Sequence, residues 1–367
     1  MLALDKQSLN MFSKLFRPKK ASYALQTKVE KALAKYTSNL FPVGLAKVVS
    51  NLHIKQQDNG LKLSGDMPFP FASEAEAIVQ HLTTKLECAI ELNFICQIEP
   101  IFQHEVAGVK NIIAVNSGKG GVGKSTTTVN LAYALKALGL KVGVLDADVH
   151  GPSMPTMLGL DGQHPMSPDG KHLLPIEKNG IAVMSSGFLA DDDGTRIWKG
   201  SISSNAFEQM FKETIWGDLD VLLIDMPPGT GDIQLTLVQR IPAVTSVIVT
   251  TPQDVALLDV QKGLNMFKRL NLPVLGMIEN MSYHVCPNCQ NQAHIFGDCG
   301  GEAYAKQVDL PLLGKLPLHI DVRQAADKGQ SIQDSAPDSQ LAIAYRQLAE
   351  QVCAQQYYQF DSRAPKS

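Results

Sequence analysis

The chain has almost no excess charge of either sign: 33 Lys and Arg stand against 36 Asp and Glu, a formal −3 over 367 residues. That leaves no bulk attraction to nucleic acid or anionic lipid. Long apolar runs are also missing. A bilayer crossing needs roughly 18–20 residues, and stretches such as Val221–Ile224 and Val247–Val249 are only strand-sized. No short apolar stretch followed by a small-residue cleavage site marks a secretory leader. Cysteine is scarce, at six, which excludes a disulfide scaffold. With 44% hydrophobic and 19% charged residues, the chain as a whole is not disordered. These absences predict a globular protein of the cytoplasm with no nucleic-acid partner and no stable membrane insertion.

What is present is uneven. Cys88, Cys96 and Cys353 are scattered through strand and helix patterns and read as buried apolar residues, whereas Cys286, Cys289 and Cys299 cluster. Residues 1–20 read as a mobile, mildly basic extension, or as a short amphipathic or transit segment. Residues 21–103 read as a small α+β domain: helical spacing near Lys28–Lys35 and Glu74–Leu86, strands at Ala46–Ile54, Leu61–Leu63 and Ala89–Ile98, and a hairpin turn at Asp58-Asn59-Gly60. A linker is expected at 104–110. From 111 to 355, short apolar runs alternate with helical patterns. This predicts an α/β domain with a mostly parallel sheet covered by helices on both faces. Its last helix is expected to open on the capping pattern Ser335-x-x-Asp338, leaving 356–367 as a tail.

Gly118-Lys119-Gly120-Gly121-Val122-Gly123-Lys124-Ser125-Thr126 has the form G-x-x-x-x-G-K-[ST], between a strand and a helix. Glycines there let backbone N–H groups wrap phosphates at a helix N-terminus. Lys124 can reach the β- and γ-phosphates of ATP, and the Ser125 hydroxyl can ligate Mg²⁺. Val221–Asp225 is an apolar strand ending in an acid, the Walker-B pattern, which makes Asp225 a second Mg²⁺ residue; Met226–Asp232 reads as a switch loop. Val144–Asp148 is another strand ending in acids. Alternation would place Asp146 and Asp148 on one side, suited to the metal shell and to orienting the attacking water. Asp191–Asp193 reads as a solvated loop.

Lys119, directly after the first glycine, resembles the deviant loop of the MinD/ParA class of ATPases. The resemblance implies that Lys119 reaches across a dimer interface to the partner's nucleotide, that Asp146 serves activation and the metal shell, that Asp148 serves the water or the switch, and that Asn280 reads adenine. Within that class the chain is similar to the Mrp/ApbC family of iron–sulfur cluster carriers. The resemblance rests on Gly108–Val115, Leu145–Ser153, Asp225–Asp232 and Glu279–Tyr283, which precede Cys286-Pro287-Asn288-Cys289. The leading domain resembles the PaaD-like domain often fused to this family, though Phe41–Leu45 replaces its acid-proline segment. Trp198-Lys199-Gly200-Ser201 departs from the family's W-R-G-P.

A [4Fe–4S] cluster needs four ligands, usually thiolates. One chain offers two well-spaced ones, and a two-fold dimer would offer four. The resemblance thus implies a homodimer with Cys286 and Cys289 holding the cluster at its interface, apoprotein clients that receive it, and a cluster donor. Two other readings stay open. Cys286-x2-Cys289-x4-His294-x4-Cys299 has the spacing of a single-chain zinc knuckle in a regulatory ATPase. A positioning ATPase of the MinD/ParA type is the other, although Gln347, Gln351, Gln355 and Gln356 give the last helix little basic character.

Overall fold

The structure is a computed structural model that describes residues 23–101, 104, 106–149, 151–189, 207–208, 210–229, 245–298 and 300–361. The expected N-terminal extension, Asp191–Asp193, Trp198–Ser201, His150, Thr230–Asp232 and Cys299 lie outside the described residues.

Two compact units meet in sequence between Ile98 and Glu99. In the first, helix α1 (Tyr23–Ala34) precedes the hairpin β1 (Ser50–Gln57) and β2 (Gly60–Met67). Gln57 pairs with Gly60 across the predicted turn. Helix α2 (Ala75–Leu86) then returns the chain to β3 (Ala89–Cys96), which pairs parallel to β2. Alternation sends Leu61, Leu63 and Met67 inward, against Val29 and Leu33 of α1 and Ile78 and Leu82 of α2, all buried. The first strand begins at Ser50 rather than Ala46, because Leu45–Lys47 forms a 3₁₀ turn. Cys88 and Cys96 are half-buried rather than core; Cys353 is buried.

The second unit starts before the expected linker ends. The Asn111 side chain donates to the Glu99 carbonyl at 2.9 Å and accepts from the Ile101 N–H at 3.0 Å, binding those residues to the first strand of this unit. That strand, β4 (Val109–Asn116), leads into α3 (Lys124–Ala137), β5 (Val142–Asp146), the short α4 (Met154–Leu158), β6 (Ile176–Lys178), β7 (Ile181–Ser185), β8 (Leu219–Asp225) and β9 (Thr245–Thr250). Then follow α5 (Asp254–Arg269), β10 (Val274–Val285), β11 (Gln292–Ala293), α6 (Gly300–Gln307), β12 (Leu312–Pro317), α7 (Ile320–Asp327), α8 (Ile332–Ser335) and α9 (Gln340–Asp361). The sheet order is β11-β10-β9-β4-β8-β5-β7-β6, with β12 also on β10. All pairings are parallel except those of β6 with β7 and β10 with β11.

Buried on both faces, the central strands read as continuous apolar runs; Val221 to Ile224 are each at most 1% exposed. Helix α3 is buried nearly all round, packed between the sheet and α9. Two boundaries differ from expectation. Ser335 ends α8, and the long helix is capped instead by Ser339, whose Oγ accepts from the Ala342 N–H at 3.1 Å. The helix then runs to Asp361, past the expected limit at 355.

Candidate functional site

The carboxyl ends of the parallel strands converge beside β4, where β8 flanks it on one side and β9 on the other. Chain crossovers leave in both directions here, the position at which open α/β sheets bind ligands. The glycine-rich loop Gly118–Gly123, the expected phosphate loop, fills this position. Gly123 takes φ +81°, and a Cβ on it would stand 2.3 Å from the Asn280 amide nitrogen. A Cβ on Gly118 would meet the Asp259 backbone at 2.5 Å, so α5 presses on the loop. Over Gly120 and Gly121, by contrast, a Cβ would meet nothing within 4 Å. That open side is where phosphate oxygens can approach the loop's N–H groups.

Beneath the loop lies a dense polar cluster. Lys124 Nζ is 2.6 Å from Asp225 Oδ2, the pair 6% and 0% exposed. Ser125 Oγ donates to the same oxygen at 2.6 Å, and Thr128 Oγ1 lies 2.7 Å from Asp225 Oδ1. Asp225 stands directly opposite Asp146 in the β8–β5 register. Asp146 accepts from Ser185 Oγ at 2.9 Å and from the Asp148 N–H at 3.1 Å. Its carboxyl is pushed up to about 7, first by burial and then by the negative charge of Asp225. The donors gathered here are hydroxyl and carboxylate oxygens, the set that suits Mg²⁺. The buried Ser117 hydroxyl at the start of the loop, with no partner of its own among the described residues, adds a donor to the same region.

The raised Asp146 has a consequence for stability. Its folded pKa lies above its unfolded value, so the folded state holds the proton more tightly. Stability therefore falls as pH rises from about 4 to about 7 and levels off above. With nucleotide and metal removed by EDTA, Asp146→Asn is expected to melt about 4 °C or more above the parent at pH 7.5. That advantage should vanish near pH 4.5. An equal offset at both pH values would refute the assignment.

The structure brings Lys124, Ser125, Asp225 and Asp146 together. Asp148 is placed differently from the strand-alternation reading: β5 ends at Asp146, so Asp148 sits half-buried in the following loop, with its backbone turned to Asp146. Lys119 is half-buried, and its ammonium has no carboxylate partner among the described residues. Asn280, 8% exposed, donates its amide to the Val122 carbonyl at 2.9 Å. Two members of the cluster went unnoticed in the sequence. Thr128 was findable, because it lies one helical turn from Lys124. Ser185 was not, since its pairing with Asp146 depends on β5 and β7 being neighbours.

Strand β10 continues past Asn280 to Val285 and turns back through β11, with His284 opposite Ala293 and Val285 opposite Gln292. The two cysteines sit on the turn between them. The Cys286 N–H donates to the Asn291 carbonyl at 3.0 Å, and the Gln290 N–H donates to the Cys286 carbonyl at 2.9 Å, with Gln290 at φ +59°. The N–H groups of Cys289 and then Asn288 are directed at the Cys286 sulfur and hold its thiol below the ordinary range, helped by the Cys289 thiol. Such a turn favours the thiolate, the form that ligates metal. Cys286 is half-buried and Cys289 exposed. His294 does not join them: its Nδ1 lies 3.1 Å from the Ser282 carbonyl. Among the described residues, no three His, Cys, Asp or Glu gather as a metal site. The single-chain zinc knuckle therefore lacks its histidine here, and its fourth ligand, Cys299, lies outside the described residues.

Residues 108–353 match the ParA family, described as NUBPL iron-transfer P-loop NTPase. The chain belongs to this family of P-loop NTPases. Its relatives include an iron–sulfur cluster carrier protein of Escherichia coli, 46% identical over 355 residues, covering 93% of this chain and 95% of that one. A nucleotide-binding protein of Archaeoglobus fulgidus, solved in complex with ADP, is 36% identical with a TM-score of 0.55, over 63% of this chain and 90% of that one. The cell division ATPase MinD of Pyrococcus furiosus, 23% identical with a TM-score of 0.50 over 66% of this chain and 98% of that one, shares the fold. No helix among the described residues is long and apolar enough to cross a membrane.

Proposed function

We propose that this protein is an ATP-hydrolysing, cytoplasmic carrier that holds a [4Fe–4S] cluster between two copies of the chain and passes it to apoproteins after taking it from a donor. One observation carries the reading: β10 touches the phosphate loop through Asn280 and, at its far end, presents the Cys286–Cys289 turn. Nucleotide chemistry and a thiolate pair thus share one strand.

In this reading Lys124 leaves Asp225 for the β- and γ-phosphates, and the loop N–H groups hold the remaining phosphate oxygens. Ser125 and Asp225 would hold Mg²⁺, and Asp146 would serve activation and the metal shell. The ion would offset charge building on the γ-phosphate. Asp146 and, from the neighbouring loop, Asp148 orient the attacking water. Lys119, with no carboxylate partner of its own among the described residues, supplies charge to the partner's nucleotide. Asn280 reads the adenine, and its amide also holds the Val122 carbonyl of the loop. The leading domain is assigned the PaaD-like role of meeting clients or donor. Hydrolysis does no chemistry on the cargo; it biases the dimer between conformations of different cluster affinity.

Two thiolates per chain cannot complete a four-ligand site, which supports the two-fold arrangement. Anaerobic reconstitution tests it. About four iron and four sulfide per two chains, with absorbance near ~400 nm and a retention that changes on adding ATP, are expected. Colourless protein containing zinc would support the regulatory ATPase instead. ATP-dependent sedimentation with liposomes would support a positioning ATPase.

A further inference from the structure

The segment that joins the two sites is irregular in a way a simple strand is not. Pairing of β10 with β12 loses register between Glu279 and Tyr283. Within the break, Met281 adopts φ +54°, the left-handed region that residues with a long side chain rarely enter. Such strain persists only where surrounding contacts enforce it. Here they come from both directions. The Asn280 amide holds the Val122 carbonyl at 2.9 Å, and the end of the Met281 side chain stands beside Gly123 of the same loop.

Glu279 faces the other way. Its carboxylate is wholly buried, and no cation pairs with it among the described residues. One oxygen accepts from Ser282 Oγ at 2.5 Å and the other from the Gly301 N–H at 2.7 Å. Ser282 is where the chain leaves for the cysteine turn; Gly301 is where it comes back into α6. Close approach is built in, since a Cβ on Gly301 would stand 2.1 Å from the Glu279 carboxylate. The Ser282 carbonyl also meets His294 Nδ1, just past the returning strand β11, at 3.1 Å. A buried, unpaired carboxylate is costly to fold, and this one clamps both ends of the cysteine-bearing excursion.

We propose that Glu279 and Ser282 are positioning residues that transmit the state of the phosphate loop to the cysteine turn. The proposal rests on the carrier reading above and identifies the connection through which nucleotide acts. When phosphates draw on the loop, the Val122 carbonyl moves Asn280. The adjoining bulge shifts, and the Glu279 clamp changes the spacing and exposure of Cys286 and Cys289.

The test uses full-length, metal-free protein and the alkylation rates of Cys286 and Cys289 with N-ethylmaleimide, resolved by peptide mass spectrometry. Rates are compared without nucleotide, with ADP and with a non-hydrolysable ATP analogue. A coupling of ordinary size predicts a change of about fivefold or more in the parent protein. Ser282→Ala and Glu279→Gln should each bring this below about twofold, while the Kd for ADP stays within about twofold. Ser282→Ala removes one hydroxyl and is the milder of the two for folding. A parent protein saturated with nucleotide but equally reactive in all states overturns the proposal. So do variants that melt at lower temperature yet keep the parent's nucleotide response, because that is a purely structural role. If reconstitution yields no iron–sulfur cluster but the thiol response is present and lost in both variants, the carrier reading falls and the link is upheld.

Discussion

Replacing Lys124 with Ala should lower ATP turnover by on the order of 10²–10³ and cost the fold about 3 kcal/mol as well. The catalytic loss follows from its place as the first residue of α3, where its ammonium is within reach of phosphates held by the loop. Lys119, the other lysine of the loop, is assigned to the partner's nucleotide. The stability loss has a separate origin. Lys124 is the cation within 2.6 Å of Asp225, and Asp225 faces Asp146 across adjacent strands. Removing the ammonium leaves two carboxylates in a buried site held by neutral donors, the hydroxyls of Ser125, Thr128 and Ser185 and the N–H groups of Asp148 and Met154. Denaturant unfolding at two pH values separates the effects. The deficit should be full at pH 8 and shrink toward pH 5.5, as Asp146, already displaced to about 7, takes up a proton. A deficit independent of pH would remove the buried-carboxylate explanation, and unchanged turnover would remove Lys124 from the phosphate site.

Cys286→Ala should reduce iron and sulfide to background while the Kd for ADP stays within about twofold of the parent value. In a symmetric dimer the substitution removes half of the thiolates at once. Cys286 is also the sulfur toward which the N–H groups of Cys289 and Asn288 are turned, which favours its thiolate. Cys289→Ala should have the same result. Among the described residues the cysteine turn makes no hydrogen bond to the phosphate loop, so the cluster-free variant keeps every loop contact that nucleotide needs. Retention of a full brown chromophore by Cys286→Ala would mean that the cluster is held elsewhere.

Much of the site was legible because its parts are local. The run Gly118 to Thr126 carries its own geometry, since glycines free the loop and a helix N-terminus follows directly. Asp225 could be placed because an apolar run ending in an acid marks a strand end in any α/β sheet. The cysteine pair is defined by spacing alone. Other features misled for equally local reasons. Ser335-x-x-Asp338 has the letters of a capping box, yet Ala336 leaves the helical region and Pro337 lacks an N–H, so Ser339 takes the cap. Strand alternation from Asp146 to Asp148 fails because the strand stops at the first of them.

By itself, the sequence determined the P-loop NTPase class, the glycine-rich loop with its two lysines, the apolar run ending in Asp225 and the Cys286–Cys289 pair, all of them short-range patterns whose physics needs no partner element. Only the tertiary structure decided that Asp146 and Asp225 face each other, that Thr128 and Ser185 complete the polar cluster, and that Glu279 holds both ends of the cysteine excursion. These depend on β8 lying between β4 and β5, and on β10 bulging as it passes the loop. Strand order and register are settled by packing among segments far apart in the chain, which a local pattern does not encode.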